Sequence, residues 1–309
     1  MSRIEYAIVI RSKTRLELLI ERFNTAAQAR FYIERSGGDF AEYEQEHEQF
    51  EAALSLVQRQ LAGIIKNKVV DRSFLPSFIF ADNQVVVVVG QDGLVANTAK
   101  YVGNRPIVAV NPDPARYDGQ LLPFRPDTCQ RAVQQVMVGK HRTRTVGLAQ
   151  ASLNDGQRLL AFNDLFVGAA SHVSARYKVS FGGQAEEHSS SGIIVSTPAG
   201  STGWLSSVFN MTAGVEDFAG GLGRLDTYSR PQEGELLFVV REPFRSRRTQ
   251  CDLVAGRVQA NTPLLIESRM PAGGVIFSDG IETDFLKFNA GAIATIGPAP
   301  EQAWLVQPS

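Results

Sequence analysis

Gln84-Val85-Val86-Val87-Val88-Val89 runs directly into Gly90-Gln91-Asp92-Gly93. Five consecutive valines offer no polar face, so a strand built from them has to be covered on both sides, as in a parallel sheet between helices. The glycines end the strand, and residues 94–101 then carry a helical pattern. A second unbroken apolar run, Pro106-Ile107-Val108-Ala109-Val110, leads into Asn111-Pro112-Asp113-Pro114. Upstream, Tyr6-Ala7-Ile8-Val9-Ile10 reads as a short buried strand and residues 69–75 as another. Between them, residues 14–23 place Leu16, Leu19, Ile20 and Phe23 on one helical face. Residues 24–35 form a second helix that breaks at Gly37-Gly38, and residues 40–65 form a longer one with Phe50, Leu54, Val57 and Leu61 at helical spacing. Its acidic run, Glu42-Tyr43-Glu44-Gln45-Glu46-His47-Glu48, reads as a solvated face.

Strands alternating with helices predict an α/β N-terminal domain, Rossmann-like with a mostly parallel sheet, over residues 1–140. Such sheets bind ligands at the carboxyl ends of their strands, where Gly90-Gln91-Asp92-Gly93 lies. Residues 128–139 form its last helix, with Val133, Val136 and Met137 inward. Beyond residues 140–144 the texture changes to short strands separated by Asn154-Asp155-Gly156, Phe181-Gly182-Gly183 and Ala272-Gly273-Gly274 turns. Gly220-Gly221 reads as a further turn. This pattern predicts a β-rich second domain over residues 141–309, of β-sandwich type, whose final strands are able to return toward the first.

The 309 residues suffice for two cored domains, and an apolar share of 44 % is ordinary for a globular chain. A net charge of −1 gives no general attraction to nucleic acid or anionic lipid, so neither is expected as a partner. Met1-Ser2-Arg3-Ile4-Glu5 lacks the apolar core of a signal peptide, and no run is long enough to span a bilayer. Two cysteines, Cys129 and Cys251, fit buried thiols in a reducing cytoplasm. No clustered His/Cys spacing indicates a protein-held metal.

Gly192-Ile193-Ile194-Val195-Ser196-Thr197-Pro198-Ala199-Gly200-Ser201-Thr202-Gly203-Trp204 holds the most distinctive chemistry. An apolar, β-branched strand stops at a proline, and four hydroxyls with two glycines follow. Hydroxyls supply donors and acceptors for phosphate or ribose oxygens, and glycines let a backbone approach a ligand closely. A polar loop after a strand has the same composition. The Asp92 loop is equally two-sided. N–H groups at a helix start suit a phosphate, and a carboxylate there suits a general base or a metal on the phosphates. It also suits a plain helix cap.

Together these stretches resemble the NAD kinase family, which makes NADP from NAD and ATP. The matching motifs are Gly90-Gln91-Asp92-Gly93, Asn163-Asp164, Ser196-Thr197-Pro198-Ala199-Gly200-Ser201-Thr202-Gly203-Trp204 and Asp279-Gly280, in the family's order, with Val110-Asn111 at a similar strand end. Before Gln84 the resemblance fades. It implies a kinase site between the domains, with Asp92 as general base on the adenosine ribose 2′-hydroxyl of NAD. Gly90, Gln91 and Gly93 would lie near phosphate and Asn111 at the nucleotide. Asn163 would bond the adenine, and Asp164, in place of Glu, the ribose. Ser196, Thr197, Gly200 and Ser201 would orient phosphate or ribose oxygens. Thr202, Gly203, Trp204 and Ser207 would wall the dinucleotide pocket, with Ser191 and Asp279 beside it. ATP would enter with Mg²⁺ held by its own phosphates. A homo-oligomer, dimer or tetramer, is implied by the resemblance alone.

Four positions depart from the family. Gln91 replaces a glycine, Leu94 replaces Thr or Ser, Ser191 replaces Asp, and Trp204 replaces Tyr. The alternatives are therefore a kinase for another nucleoside, nucleotide or lipid hydroxyl, or a non-catalytic dinucleotide-binding regulator. Arg245-Ser246-Arg247-Arg248 reads either as a phosphate grip or as a solvated loop. His188, beside Ser189-Ser190-Ser191, reads as a ligand contact or a packing residue, and His47, His141 and His172 as surface or packing residues.

Overall fold

Val85 to Val89 are all fully buried in the computed structural model, which describes residues 3–220 and 230–308. Gly221, the second half of an expected turn, lies outside the described residues. The chain divides into two compact units, one running to Thr145 and taking in the residues from Ala303 on, the other Val146–Gln302.

The first unit runs β1 (Tyr6–Arg11), α1 (Arg15–Phe23), α2 (Ala26–Arg35), α3 (Ala41–Ala62), β2 (Lys66–Asp71), β3 (Gln84–Val89), α4 (Asp92–Ala99), β4 (Pro106–Val110) and α5 (Cys129–Met137). Its strands pair in the order β2-β1-β3-β4, all parallel. Trp304 and Leu305 add a further parallel segment against Pro106 and Ile107. Alternate strand residues Val85, Val87, Val89, Val108 and Val110 pack on Phe50, Leu54, Val57 and Leu61 of α3 and on Val133 and Val136 of α5. Period two on the strands thus meets period three to four on the helices. Each valine so buried contributes about 1.5 kcal/mol or more. Thr14 and Glu17 form a reciprocal capping box that starts α1. The expected strand at 69–75 begins earlier and stops at Asp71, whose carboxylate accepts from the Ser73 N–H (2.9 Å) and opens a 3-10 turn at Arg72–Ser77.

β5 (Arg142–Leu153) leads into the second unit, followed by β6 (Arg158–Ala161), β7 (Asp164–Ala169), β8 (Ala175–Phe181), β9 (Gln184–Ser190), β10 (Ile193–Ser196), α6 (Trp204–Phe218), β11 (Leu236–Val240), β12 (Ala255–Val258), β13 (Leu264–Ser268), β14 (Gly274–Ser278), β15 (Ile281–Lys287) and β16 (Ile293–Gln307). One antiparallel sheet has the order β12-β11-β10-β7-β14-β15. Opposite it, β13 pairs with both β8 and the first residues of β16, β8 pairs with β9, and β5 and β6 form a hairpin. Leu165, Val167, Ile193, Val195 and Phe238 from one sheet meet Tyr177, Val179, Leu264 and Ile266 from the other in a single core. This is a β-sandwich.

The sandwich is β-rich rather than all-β. Helix α6 follows the serine- and threonine-rich motif and lays Leu205 and Val208 on Ile194, Leu237 and Val239. Its N-cap is Gly203, with no side-chain cap, so no start signal precedes it. Strand β9, Gln-Ala-Glu-Glu-His-Ser-Ser, is polar and was not expected; it is held by its hairpin partner β8 through Gly182 and Gly183, both at positive φ. Both cysteines are free, Cys129 buried and Cys251 only half-buried. No described helix is long and apolar enough to cross a membrane.

Candidate functional site

In the first unit, Gly90 ends β3 and Asp92 is the first residue of α4, with Gln91 extended at the N-cap. Asp92 does not cap its own helix. Its carboxylate reaches the loop after β4, where Oδ1 accepts from the Leu121 N–H (2.8 Å) and Oδ2 from the Gln120 N–H (3.2 Å). Each carboxylate oxygen keeps a second lone pair for another donor. Gln91 is exposed and bonds Tyr117, whose hydroxyl pKa burial pushes up against that bond's downward pull. Leu94 is buried and closes on Gly90, where an added Cβ would sit 2.8 Å from Leu94 Cδ2. Gly93 faces open space.

Asn111 is buried and serves its own loop. Its Oδ1 accepts from the Asp113 N–H (3.0 Å), and its Nδ2 donates to the Tyr117 carbonyl (2.9 Å). The chain turns tightly over it at Gly119, whose φ is +64° and whose missing Cβ would meet Asn111 Nδ2 at 2.6 Å.

In the second unit, the distant motif residues come together. Asp279, at φ 53° in the β14–β15 turn, directs its carboxylate at three successive backbone N–H groups. These belong to Phe162 (3.1 Å), Asn163 (2.6 Å) and Asp164 (3.3 Å). The Asp279 N–H donates to the Asp164 carbonyl (3.0 Å). Thr197 grips the same turn from the other side: its hydroxyl donates to the Phe162 carbonyl (2.6 Å) and its N–H to the Asn163 carbonyl (2.9 Å). The Thr197 hydroxyl also accepts from the Gly200 N–H (3.2 Å). A Cβ on Gly200 would stand 2.2 Å from the Asn163 carbonyl oxygen, so only glycine fits there. Ser196 bonds the Thr197 carbonyl, Ser201 the Pro198 carbonyl and Ser207 the Gly203 carbonyl. Thr202 ends the 3-10 turn Gly200–Thr202, and Gly203 leads into α6. Thr197, Gly200, Asn163, Asp164 and Asp279 are thus one hydrogen-bonded frame.

Ser191 and Trp204 line a different feature, a cavity of about 930 Å³ in the same unit. The Trp204 ring stacks on Phe166 (5.7 Å between centroids, 13° between planes), and Phe166 on Phe277 (4.8 Å). The Arg241 guanidinium lies over Trp204, 5.4 Å from its ring. Ser191 donates to Glu242, and Glu282 and Phe285 complete the polar and apolar wall. Two glycines make the shelf possible, since Cβ atoms on Gly168 or Gly192 would strike the Phe166 ring at 2.5 and 2.7 Å. Sequence reasoning missed Phe166, Arg241, Glu242 and Phe277. The available signal was an aromatic two residues from a strand glycine. Glu282 and Phe285 lie on β15, which the Asp279-Gly280 turn joins to β14. The shelf thus carries a cation over Trp204 and carboxylate residues among the cavity's lining.

The remaining histidines divide. His172 lines this cavity. His188 is buried, with Nε2 on Glu186 (2.8 Å) and its ring beside Tyr177. Burial raises the Glu186 pKa, but His188 and the Asp252 and Leu253 N–H groups outweigh it and lower it overall. Glu17, His47 and Glu51 bring donor atoms within 4.8 Å of one another, yet Arg11 pairs with both carboxylates, so a cation already occupies the cluster.

The chain has an NAD kinase-like fold. The crystal structure of yeast NADH kinase complexed with NADH matches all of this chain and 85 % of its own, with a TM-score of 0.60 at 14 % identity. The crystal structure of an NAD kinase from Archaeoglobus fulgidus in complex with ATP matches 98 % of this chain and 94 % of its own, with a TM-score of 0.55 at 15 % identity. No protein-family model and no curated protein sequence matches the chain.

Proposed function

We propose that this chain is an NAD kinase-like phosphotransferase that moves the γ-phosphoryl group of MgATP to the adenosine ribose 2′-hydroxyl of NAD. The observation that carries the reading is the frame around Asn163. The Ser196–Gly203 motif and the Asn163-Asp164 pair, apart in sequence, are locked together through Thr197, Gly200 and Asp279. That is the rigid platform a nucleotide site needs. The fold's likeness to proteins crystallised with NADH and with ATP supports the same substrates here.

On this reading, Asp92 takes the proton of the 2′-hydroxyl as that oxygen bonds to Pγ. The bond from Pγ to the β–γ bridging oxygen breaks, and ADP leaves with that oxygen. The Gln120 and Leu121 N–H groups hold the carboxylate in one orientation while its remaining lone pairs stay available. Mg²⁺ enters as part of the nucleotide and neutralises charge on its phosphates. Trp204 and Phe166 offer the aromatic shelf for a ring of the dinucleotide, with Ser191 at its edge. A cytoplasmic homo-oligomer belongs to the same reading.

A second reading, a nucleotide-binding regulator without turnover, is favoured by Leu94 closing over Gly90 and by Asp92's service to the 120–121 loop. Ser191 in the family's Asp position leaves room for another nucleoside, nucleotide or lipid hydroxyl as acceptor. The deciding experiment is NADP formation from NAD, ATP and Mg²⁺ by purified protein beside its Asp92→Asn variant. Loss of about 10²–10⁴-fold in the variant, with nucleotide binding kept, supports the base. Nucleotide binding without product in either protein supports the regulator.

A further inference from the structure

A second cavity of about 470 Å³ lies in the sandwich unit and shares no lining residue with the Trp204 cavity. Three arginines, Arg176, Arg248 and Arg269, line it beside His188 and a single acidic residue, Glu187. Arg176 stands on β8 opposite Ser189 of β9. The segment after β11 runs along β9, with the Phe244 N–H on the Ser189 carbonyl (2.8 Å) and the Gln250 N–H on the Glu187 carbonyl (3.0 Å). Within it, Ser246 Oγ accepts from the Arg248 and Thr249 N–H groups (3.1 and 3.2 Å) and fixes the turn that carries Arg248. Arg269 is tied to the same place by its N–H on the Arg176 carbonyl (2.8 Å).

The charges are unevenly spent. Arg269 pairs with Glu267 and with Glu187 (3.2 Å), which occupies the cavity's carboxylate. Among the described residues, neither Arg176 nor Arg248 has a carboxylate partner. The Thr249 hydroxyl donates to the Phe244 carbonyl (2.6 Å) and contacts Ser246 Oγ (2.9 Å), so these two hydroxyls are consumed within the turn and Ser189 is the lining hydroxyl left over. Binding therefore falls to two free guanidinium forks on separate elements, each able to clasp one phosphate through two hydrogen bonds. A single orthophosphate uses one fork; a chain of phosphates uses both.

We propose that this cleft binds a condensed phosphate chain, either free or as the tail of a nucleotide. The test is equilibrium titration of the purified full chain at fixed low ionic strength with orthophosphate, tripolyphosphate and ATP. The wild type is compared with Arg176→Ala/Arg248→Ala, Arg176→Lys/Arg248→Lys, and a control of equal charge loss on exposed β5 positions, Arg142→Ala/Arg144→Ala. Wild type is expected to bind tripolyphosphate at least tenfold tighter than orthophosphate. The alanine pair should lose that advantage, and the lysine pair should fall between, because a point charge lacks the fork. One ATP equivalent lost from the binding stoichiometry in the alanine pair assigns the site to nucleotide tails; an unchanged ATP stoichiometry assigns it to free chains. Tripolyphosphate binding equal in wild type and alanine pair, or an equal loss in the β5 control, overturns the proposal.

Discussion

Asp279→Ala removes the acceptor for three backbone N–H groups at once, those of Phe162, Asn163 and Asp164. A hydrogen bond to a charged acceptor contributes about 1.5–3 kcal/mol, and the 3.3 Å bond to Asp164 adds little to the two shorter ones. Asp279 is half-buried, so water recovers part of the loss, and the expected cost is about 2–4 kcal/mol. Asp279→Asn keeps one oxygen but turns an amide toward the other N–H groups, which halves the cost at best. Asp279→Gly loses every side-chain bond yet relieves the positive φ of 53°, and is expected to be about 1 kcal/mol more stable than the alanine variant. Urea unfolding followed by Trp204 fluorescence, in a Trp304→Phe background, reads the sandwich unit alone. An alanine variant within 1 kcal/mol of its parent, or a glycine variant less stable than alanine, would refute the clamp.

Gly200→Ala places a methyl group 2.2 Å from the Asn163 carbonyl oxygen, and is expected to cost about 1–3 kcal/mol in the same assay and to weaken nucleotide binding. Asp92→Asn should raise amide hydrogen exchange at Gln120 and Leu121 whether or not the protein is a kinase; unchanged exchange there would remove the carboxylate's anchoring role. Cys129 is buried, and desolvation pushes its thiol up from 9.0 to about 12. The unfolded chain then loses that proton first, so stability falls as pH rises above 9.0, by at most about 1.4 kcal/mol per unit. Cys129→Ala should flatten that part of the pH–stability curve. Trp204→Phe keeps a stacking face on Phe166 and should bind dinucleotide more tightly than Trp204→Ala, as read by calorimetry.

Unbroken apolar runs made the first unit legible, because Val85 to Val89 and Ile107 to Val110 allow one environment only. The sandwich was legible through its glycine turns. What escaped was structure whose cause lies elsewhere in the chain. Strand β9 is polar and exists because β8 and the segment after β11 bond its two edges. Helix α6 starts without a cap and is held by the apolar face of β10 and β11. Among the motif residues, the resemblance to the NAD kinase family grouped Asp279, Asn163, Thr197 and Gly200 as companions, but not that they would bond each other's backbone. Asp92 is similar: its position was readable, while its partners at Gln120 and Leu121 follow from a loop that no periodicity describes.

Strand β16 belongs to the second unit where it pairs with β13 and to the first where Trp304 and Leu305 pair with Pro106 and Ile107. During translation, β4 therefore leaves the ribosome about 200 residues ahead of its neighbour. At ordinary elongation rates that interval lasts roughly 10–40 s. Throughout it, the start of β4 at Pro106 and Ile107 presents a bare edge, a template for pairing with another nascent chain, while Phe124 already covers the strand's far end. The first unit's sheet is completed after synthesis of the second, which makes this edge a natural target for holdase chaperones and makes expression yield sensitive to any shortening after Gln302.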